Sequence, residues 1–336
     1  MFLSIVIPSH NKAIFLKKAI RSILKDDEFG RNINLIISDN SLNNDIQNLY
    51  LKEYKNNKYV KYFSSKKYNC LDSNVNRSIE LATGKYAWVF GDDDILVTGI
   101  LKKIIKFLKS KEPNLLICNS KAFSEKGIIE SKRMPKNKDL LYRKDDNDKF
   151  LIDMGGYLTY VGAIIVNKKL WIENYKKSKI GSFFAHIDCI GAIKNNREVY
   201  FFGEPSIKMR LGSQTWLNQS FQIWYLFYPE IIWGLENYSF YAKQKVIPRV
   251  PLNSIKLMLA ARAYGRIDFQ IFKEFVLKSQ KVITFNKFII LIIVILPSKL
   301  LSRIYLLYIY LFKKQQTINF RPKLAIAQLN RILNCD

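Results

Sequence analysis

The stretch Tyr86-Ala87-Trp88-Val89-Phe90-Gly91-Asp92-Asp93-Asp94 constrains this chain more than any other. Tyr86–Phe90 is apolar without alternation, so it forms a strand covered on both faces. Strands of that kind belong to α/β sheets, whose ligands bind beyond the carboxyl ends of the strands. Gly91 breaks the run, and three carboxylates stand at that end. Like charges so close repel unless a cation lies among them. In extended chain, side chains two residues apart point the same way, so Asp92 and Asp94 would face one ion. Carboxylate oxygens suit Mg²⁺ or Mn²⁺, and an ion held by one or two carboxylates completes its shell with water and substrate phosphates. The run therefore predicts a metal that holds a diphosphate. A solvated turn would carry the same letters, but its place after a buried strand argues against that.

The chain before it has the same build. Strands are expected at Leu3–Ile7, stopped by Pro8, then at Ile33–Ile37, Tyr59–Phe63 and Leu115–Cys118. Helical spacing of apolar residues marks Ile14–Leu24, Asp45–Tyr54, Asp72–Ala82 and Gly99–Leu108. Strands alternating with helices give parallel βαβ units. Polar groups then gather at one sheet edge: Asn11, Asp39, and Asp92 to Asp94. There is no G-x-G-x-x-G and no G-x-x-x-x-G-K-[ST], which disfavours a dinucleotide fold and a P-loop.

Four segments in order carry a family resemblance. Ser4-Ile5-Val6-Ile7-Pro8-Ser9-His10-Asn11 resembles the V-I-P-x-y-N opening of family 2 glycosyltransferases. Ile36-Ile37-Ser38-Asp39-Asn40-Ser41 resembles their second strand. Asn76–Ala82 with Thr83-Gly84-Lys85-Tyr86 resembles the segment before their metal motif, and Gly91–Asp94 occupies the D-x-D position. The match covers about the first 110 residues. It implies a GT-A fold, a mostly parallel α/β sheet flanked by helices, and a nucleotide-diphosphate sugar as donor. By that resemblance Pro8 and Asn11 lie near the nucleoside and Asp39 accepts from the base. Asp92, Asp93 and Asp94 serve the diphosphate and the metal, with Asp92 and Asp94 as its ligands. The chemistry fits independently, because departure of a nucleoside diphosphate builds negative charge that a divalent ion stabilises.

Farther on, Lys121–Asn147 is polar and reads as a surface loop or insertion. Asp145-Asp146-Asn147-Asp148 has no strand before it and reads as a turn or helix cap. Asp153–Tyr157, with Gly155 and Gly156, leads into a strand ending at Val166, and Trp171 follows on a helix. Where many relatives carry a Glu-Asp pair for the base that deprotonates the acceptor, this chain has Ala185-His186-Ile187-Asp188. That pattern resembles abequosyltransferase-type O-antigen enzymes. His186 is a candidate base; Asp188 is either the base or the group that orients His186. Tyr200–Phe202 reads as a strand. Arg210, in Ile207–Ser213, is a candidate diphosphate partner, since guanidinium matches phosphate oxygens. The His that relatives carry after that Arg is absent, so no third protein ligand is implied.

The remainder is read as a helical region, 216–336, after a catalytic domain, 1–215. Phe221–Tyr241 is dense in aromatics and contains Pro229, where a helix should kink. Arg262–Lys281 reads as an amphipathic helix. Phe288–Leu296 and Leu300–Phe312 are apolar, closed by Lys313-Lys314. A bilayer span needs ~20 apolar residues, and Pro297, Lys299 and Arg303 fall mid-way. Two helices lying in the interface fit better, with basic side chains toward anionic headgroups; the alternative is a buried helical hairpin packed on the catalytic domain. Formal net charge is +26 in 336 residues, which calls for an anionic partner. The four cysteines, Cys70, Cys118, Cys189 and Cys335, have no paired spacing and read as free thiols.

These readings converge on a glycosyltransferase using Mn²⁺ or Mg²⁺ and a UDP- or CDP-linked donor. The expected acceptor is a glycan, carried on polyprenyl diphosphate, in bacterial surface polysaccharide synthesis. The expected location is cytoplasmic, peripheral on the inner face of the cell membrane. A nucleotidyltransferase would also use strand-end carboxylates, but the phosphate loop it needs is missing after the first strand. A nucleic-acid partner would match the charge alone, and no binding module for one is visible.

Overall fold

The structure, a computed structural model, describes residues 1–135, 138–176, 179–213, 216–312 and 322–333. Cys335, Lys313-Lys314 and the expected boundary at Thr215 lie outside the described residues. Two compact units emerge: Met1–Ser213 with Leu235–Asn237, and the described residues of Gln214–Gly234 and Tyr238–Asp336.

In the first unit the apolar runs pair into one mixed sheet. Its first strands are β1 (Leu3–Ser9), β2 (Ile33–Asp39), β3 (Val60–Ser64) and β4 (Tyr86–Val89). Between them run helices α1 (Ala13–Leu24), α2 (Asp45–Glu53) and α3 (Leu71–Glu80). Then come β5 (Ile95–Leu96), α4 (Ile100–Lys111), β6 (Leu115–Ser124), β7 (Gly127–Glu130), β8 (Leu140–Tyr142), α5 (Asn147–Met154), β9 (Ile164–Asn167), α6 (Lys168–Asn174), α7 (Ala185–Asn196) and β10 (Val199–Arg210). The strand order is β3-β2-β1-β4-β9-β6-β10-β5, with β7 on β6 and β8 on β10. β1 is parallel to both β2 and β4, and β2 to β3, so three strand ends meet at one edge. β9 runs antiparallel between β4 and β6, which makes the sheet mixed.

The amphipathic helices cover this sheet. Helix α1 buries Leu16, Ala19, Ile20 and Ile23, and α4 buries Ile100, Leu101, Ile104, Ile105 and Leu108. These join Ile5, Ile7, Leu35, Ile37, Trp88 and Phe90 in one core. Burying each such side chain stabilises by about 1.5–3 kcal/mol.

Pro8 does not stop β1. The strand continues through Ser9, pairing Pro8 with Ser38 and Ser9 with Asp39. Pairing to β4 ends at Val6 and Val89, so at Pro8 the strand has one neighbour, and an edge tolerates a residue without an N–H. The expected loop over Lys121–Asn147 is also corrected. β6 runs on to Ser124 and folds back as β7, and β8 pairs with β10. Partner strands decide the conformation there against a polar composition. Cys70, Cys118 and Cys189 are free thiols.

In the second unit, a π-turn at Ile223–Phe227 lies immediately before the helix Tyr228–Gly234. Pro229 removes an N–H and crowds the preceding turn, which is a common origin of such a bulge. The expected helix over Arg262–Lys281 is instead two pieces. The first ends at Ala263, and Gly265 adopts φ +63°, a backbone open to glycine. The second starts at Phe269, capped by the Asp268 carboxylate, which accepts from the Ile271 N–H at 2.8 Å. Two apolar helices follow, Thr284–Ile295 and Ser298–Phe312, bent by 100° at the break that holds Pro297. Among the described residues no single helix is long and apolar enough to cross a membrane, though this bent pair passes that test together.

Candidate active site

The site lies where β1, β2 and β4 end side by side. After β4, Gly91–Asp94 is a turn, closed by the Asp94 N–H donating to the Gly91 carbonyl at 3.2 Å. This corrects the expectation of extended chain, and it separates Asp92 from Asp94. The Asp92 carboxylate turns toward β1: Oδ2 accepts from the Ser9 hydroxyl at 2.9 Å and from the His10 N–H at 3.3 Å. The Asp94 carboxylate turns the other way. Oδ2 accepts from the Tyr160 hydroxyl and Oδ1 from the Arg210 backbone N–H at 3.0 Å. Asp93 lies between, its Oδ2 receiving Lys12 Nζ at 2.7 Å and the Ser213 hydroxyl at 2.6 Å.

Burial, above all, pushes the Asp92 and Asp94 carboxyls up, and the charge of Asp93 pushes in the same direction. For Lys12, burial alone would lower the ammonium, but the charges of Asp92 and Asp93 outweigh it and raise it. A site so arranged favours cations. Its hard oxygen donors fit a divalent ion. Among the described residues, no three His, Cys, Asp or Glu side chains form a ready-made metal cluster. An ion here would take one or two carboxylates and complete its shell from substrate and water.

Asn11 follows β1 with φ 53°, a left-handed conformation Asn accepts more readily than most residues. Its N–H donates to the Ser41 hydroxyl at 2.8 Å, and its Oδ1 accepts from the Leu42 N–H at 3.3 Å, tying the ends of β1 and β2. Asp39 is buried at the end of β2. Its Oδ1 accepts from the Ser41 N–H at 2.8 Å, its Oδ2 from the Tyr62 hydroxyl at 2.7 Å. Burial and that bond push Tyr62 up to about 12. Arg77, on α3, is buried beside them. Its guanidinium lies 5.0 Å over the Tyr68 ring and donates to the Ser38 hydroxyl at 3.4 Å.

Arg210, at the end of β10, supports the acidic turn from below. Besides its N–H to Asp94, its Nε donates to the Asp93 carbonyl at 3.1 Å. Its guanidinium packs between the rings of Phe15 and Phe123, at 5.1 and 4.6 Å.

His186 and Asp188 sit in the first turn of α7. Two residues apart on a helix, their side chains diverge. His186 is therefore not oriented by Asp188. Its Nε2 lies 2.9 Å from the Leu158 carbonyl. Burial pulls its pKa down to about 4, so it is neutral near pH 7. Asp188 has Lys176 Nζ at 3.9 Å and no hydrogen bond to its Oδ2. Leu158 belongs to the same turn as Tyr160, which joins the His186 neighbourhood to Asp94.

Several contacts have no plain signal in the sequence. Lys12 could have been singled out as the cation following Asn11. Tyr160 is hinted at by Gly162, where any Cβ would strike the Tyr160 ring. Asp72, in the first turn of α3, accepts the N–H groups of Gly181, Phe183 and Ala185 at 2.9, 2.9 and 3.2 Å, and so clasps the approach to α7. Its partners lie more than a hundred residues away, beyond the reach of any local pattern.

Comparison with known proteins agrees with this geometry. The family model for glycosyl transferase family 2 matches residues 4–162. A GalNAc(5)-diNAcBac-PP-undecaprenol beta-1,3-glucosyltransferase of Campylobacter jejuni is 25% identical over 330 residues, 90% of this chain and 96% of the relative. Abequosyltransferase RfbV of Salmonella typhimurium is 26% identical over 209 residues, 58% of this chain and 62% of the relative. Among solved structures, S. aureus TarS 1–349 in complex with UDP-GlcNAc superposes with a TM-score of 0.58 at 13% identity, covering 99% of this chain and 90% of TarS 1–349. The mannosyltransferase PcManGT of Pyrobaculum calidifontis, in complex with GDP-Man and Mn²⁺, gives 0.57 at 10% identity over 98% and 86%. At such identities the two structures speak for the fold alone. The fold, the acidic turn at the joined strand ends and the sequence matches agree: residues 4–162 form a glycosyl transferase family 2 domain.

Proposed function

We propose that this protein transfers a sugar from a nucleotide-diphosphate sugar to a glycan acceptor carried on a polyprenyl-diphosphate lipid, in the synthesis of a bacterial surface polysaccharide. The observation that carries this reading is the acidic turn Asp92–Asp94, with Asp92 and Asp94 buried, at the edge where Asp39 ends β2 and Asn11 follows β1. The Campylobacter relative, named for an undecaprenol-linked glycan, supports the acceptor class because it aligns over nearly the whole chain.

Each side chain has a part in this reading. Pro8 and Asn11 border the nucleoside, and Asp39 accepts an N–H of the base. Asp92 or Asp94, which the turn aims apart, would hold Mn²⁺ or Mg²⁺, and that ion would stabilise the charge on the departing diphosphate. Asp93 braces the turn through Lys12 and Ser213. Arg210 fixes the same turn from its backbone and adds positive charge on the phosphate side. His186 or Asp188 takes the proton of the acceptor hydroxyl. With Nε2–H donated to Leu158, the other nitrogen of His186 carries the lone pair a base needs. The enzyme works on the cytoplasmic face of the membrane, held there by its second unit and its positive charge.

A thermal-shift screen of UDP, CDP, GDP and dTDP, each with and without Mn²⁺, tests this. A ligand that binds only the folded state raises the apparent Tm. We expect a metal-dependent shift with one nucleotide, lost in Asp94→Ala. No shift with any nucleotide, in folded protein, would sink the reading.

A further inference from the structure

We propose that Lys12 is a built-in counter-ion of the metal site: it neutralises Asp92 and Asp93 until a divalent cation displaces it, and the freed ammonium then serves the donor diphosphate. The proposal rests on the transferase reading above, and goes beyond it by giving the site an internal competitor for its metal.

Lys12 stands between Asn11 and the first residue of α1. Its Nζ lies 2.7 Å from Asp93 Oδ2 and 3.3 Å from Asp92 Oδ1, with the side chain only 16% exposed. Two of the three acids are thus already neutralised in part by one cation. Among the described residues, no cation forms an ion pair with the third, Asp94. It is faced by the Tyr160 hydroxyl and the Arg210 N–H, while the Arg210 guanidinium is turned to the Asp93 carbonyl and two phenyl rings.

An ammonium on a flexible stem is well suited to leave such a place. It makes point-charge contacts with no fixed geometry, and the stem can swing. A divalent ion binding Asp92 would compete with Lys12 for the same oxygens and repel its charge. The coupling is reciprocal: whatever affinity Lys12 withholds from the metal, the metal withholds from Lys12. Once displaced, Lys12 is a cation on a short tether beside the acidic turn, where the phosphates of the donor arrive.

The test is a Mn²⁺ titration of the full chain without nucleotide, following free Mn²⁺ by electron paramagnetic resonance. Lys12→Met should bind Mn²⁺ roughly tenfold more tightly than wild type, a change of one in log Kd. Lys12→Arg, which keeps the charge, should stay near wild type. UDP binding at saturating Mn²⁺ should weaken in Lys12→Met. Equal or weaker Mn²⁺ binding by Lys12→Met would overturn the proposal. Because that variant leaves buried carboxylates without their cation, thermal melts accompany the titration. Mn²⁺ should raise its Tm more than that of wild type, and an equal or smaller rise counts against the proposal. Wild type that binds UDP with Mn²⁺, beside a Lys12→Met with no gain in metal affinity, would remove this role and leave the transferase reading standing. Wild type that binds no nucleotide would remove the transferase reading, and the Mn²⁺ titration would still decide the role of Lys12 as counter-ion.

Discussion

Gly91 and Asp94 lie so close that any side chain on Gly91 would overlap the Asp94 carboxylate. The turn that brings them together also aims Asp94 at Tyr160 and Arg210. Gly91→Ala should therefore push Asp94 out of place without touching the core strand before it. A displacement of about 1 Å at a reacting site can lower turnover about 10²-fold. We expect a loss of that order in initial rate with Mn²⁺ and donor, beside a circular-dichroism melt shifted by only a few degrees. A wild-type rate in Gly91→Ala would mean that the position of Asp94 does not matter.

Asp72 holds the segment before α7 by three backbone N–H groups. Burial raises its carboxyl and those bonds pull the other way. Asp72→Asn keeps the shape but loses the charge that strengthens each bond. A loss of about 1–3 kcal/mol is expected in urea unfolding, the usual range for hydrogen bonds to charged groups and for unsatisfied buried ones. If this segment positions the acceptor side, KM for the acceptor should rise while nucleotide affinity stays unchanged. A weakened nucleotide with an intact acceptor KM would refute that division of labour.

His186 gives a pH prediction. Burial holds its pKa near 4, below the 6.5 of an exposed imidazole. A group depressed in the folded state contributes stability above its unfolded pKa and loses it as pH falls through the folded one. Between pH 6.5 and 4, wild type should lose up to about 3 kcal/mol more than His186→Gln. Denaturant midpoints across that range measure the difference. Parallel curves would show that the imidazole is not buried neutral. If His186 is also the base, kcat at pH 7 should fall about 10²- to 10⁴-fold in His186→Gln with donor KM unchanged.

Much of the first unit was legible because its strands and helices are set by local periodicity. The apolar runs of β1, β2 and β4 could be nothing else, and Asp39 and Asp92 to Asp94 declared themselves by ending them. What escaped was long-range. Lys12 meets Asp93 across 81 positions, and Tyr160 meets Asp94 across 66. The turn at Gly91–Asp94 has no local signal, because nothing in three aspartates says which way each will point; Ser9, Tyr160 and Arg210 decide that. The β6–β7 hairpin is not legible locally, because its polar residues are strand-forming only beside their partners.

The bent helix pair is the place to test the membrane reading. Thr284–Ile295 turns Ile290, Ile293 and Val294 into the core of the second unit, and Ser298–Phe312 turns in Leu301 and Ile309. Yet Phe288 is 62% exposed, Ile295 69%, Leu307 58% and Leu311 59%. The pair thus has a second apolar face that its own unit leaves in water. Withdrawing one large apolar side chain from water contributes about 1.5–3 kcal/mol, so a few of them entering an interface would hold the protein there. Phe288→Ser with Leu307→Ser should lower the partition onto vesicles containing anionic lipid by at least tenfold, while the melt stays near wild type because neither residue is in the core. Raising salt from about 0.1 M to about 1 M should weaken wild-type binding through screening of Lys and Arg but leave the apolar part. Undiminished binding of the double variant would take the apolar face out of the interaction. Failure of wild type to sediment with any vesicle would take the membrane out of it altogether.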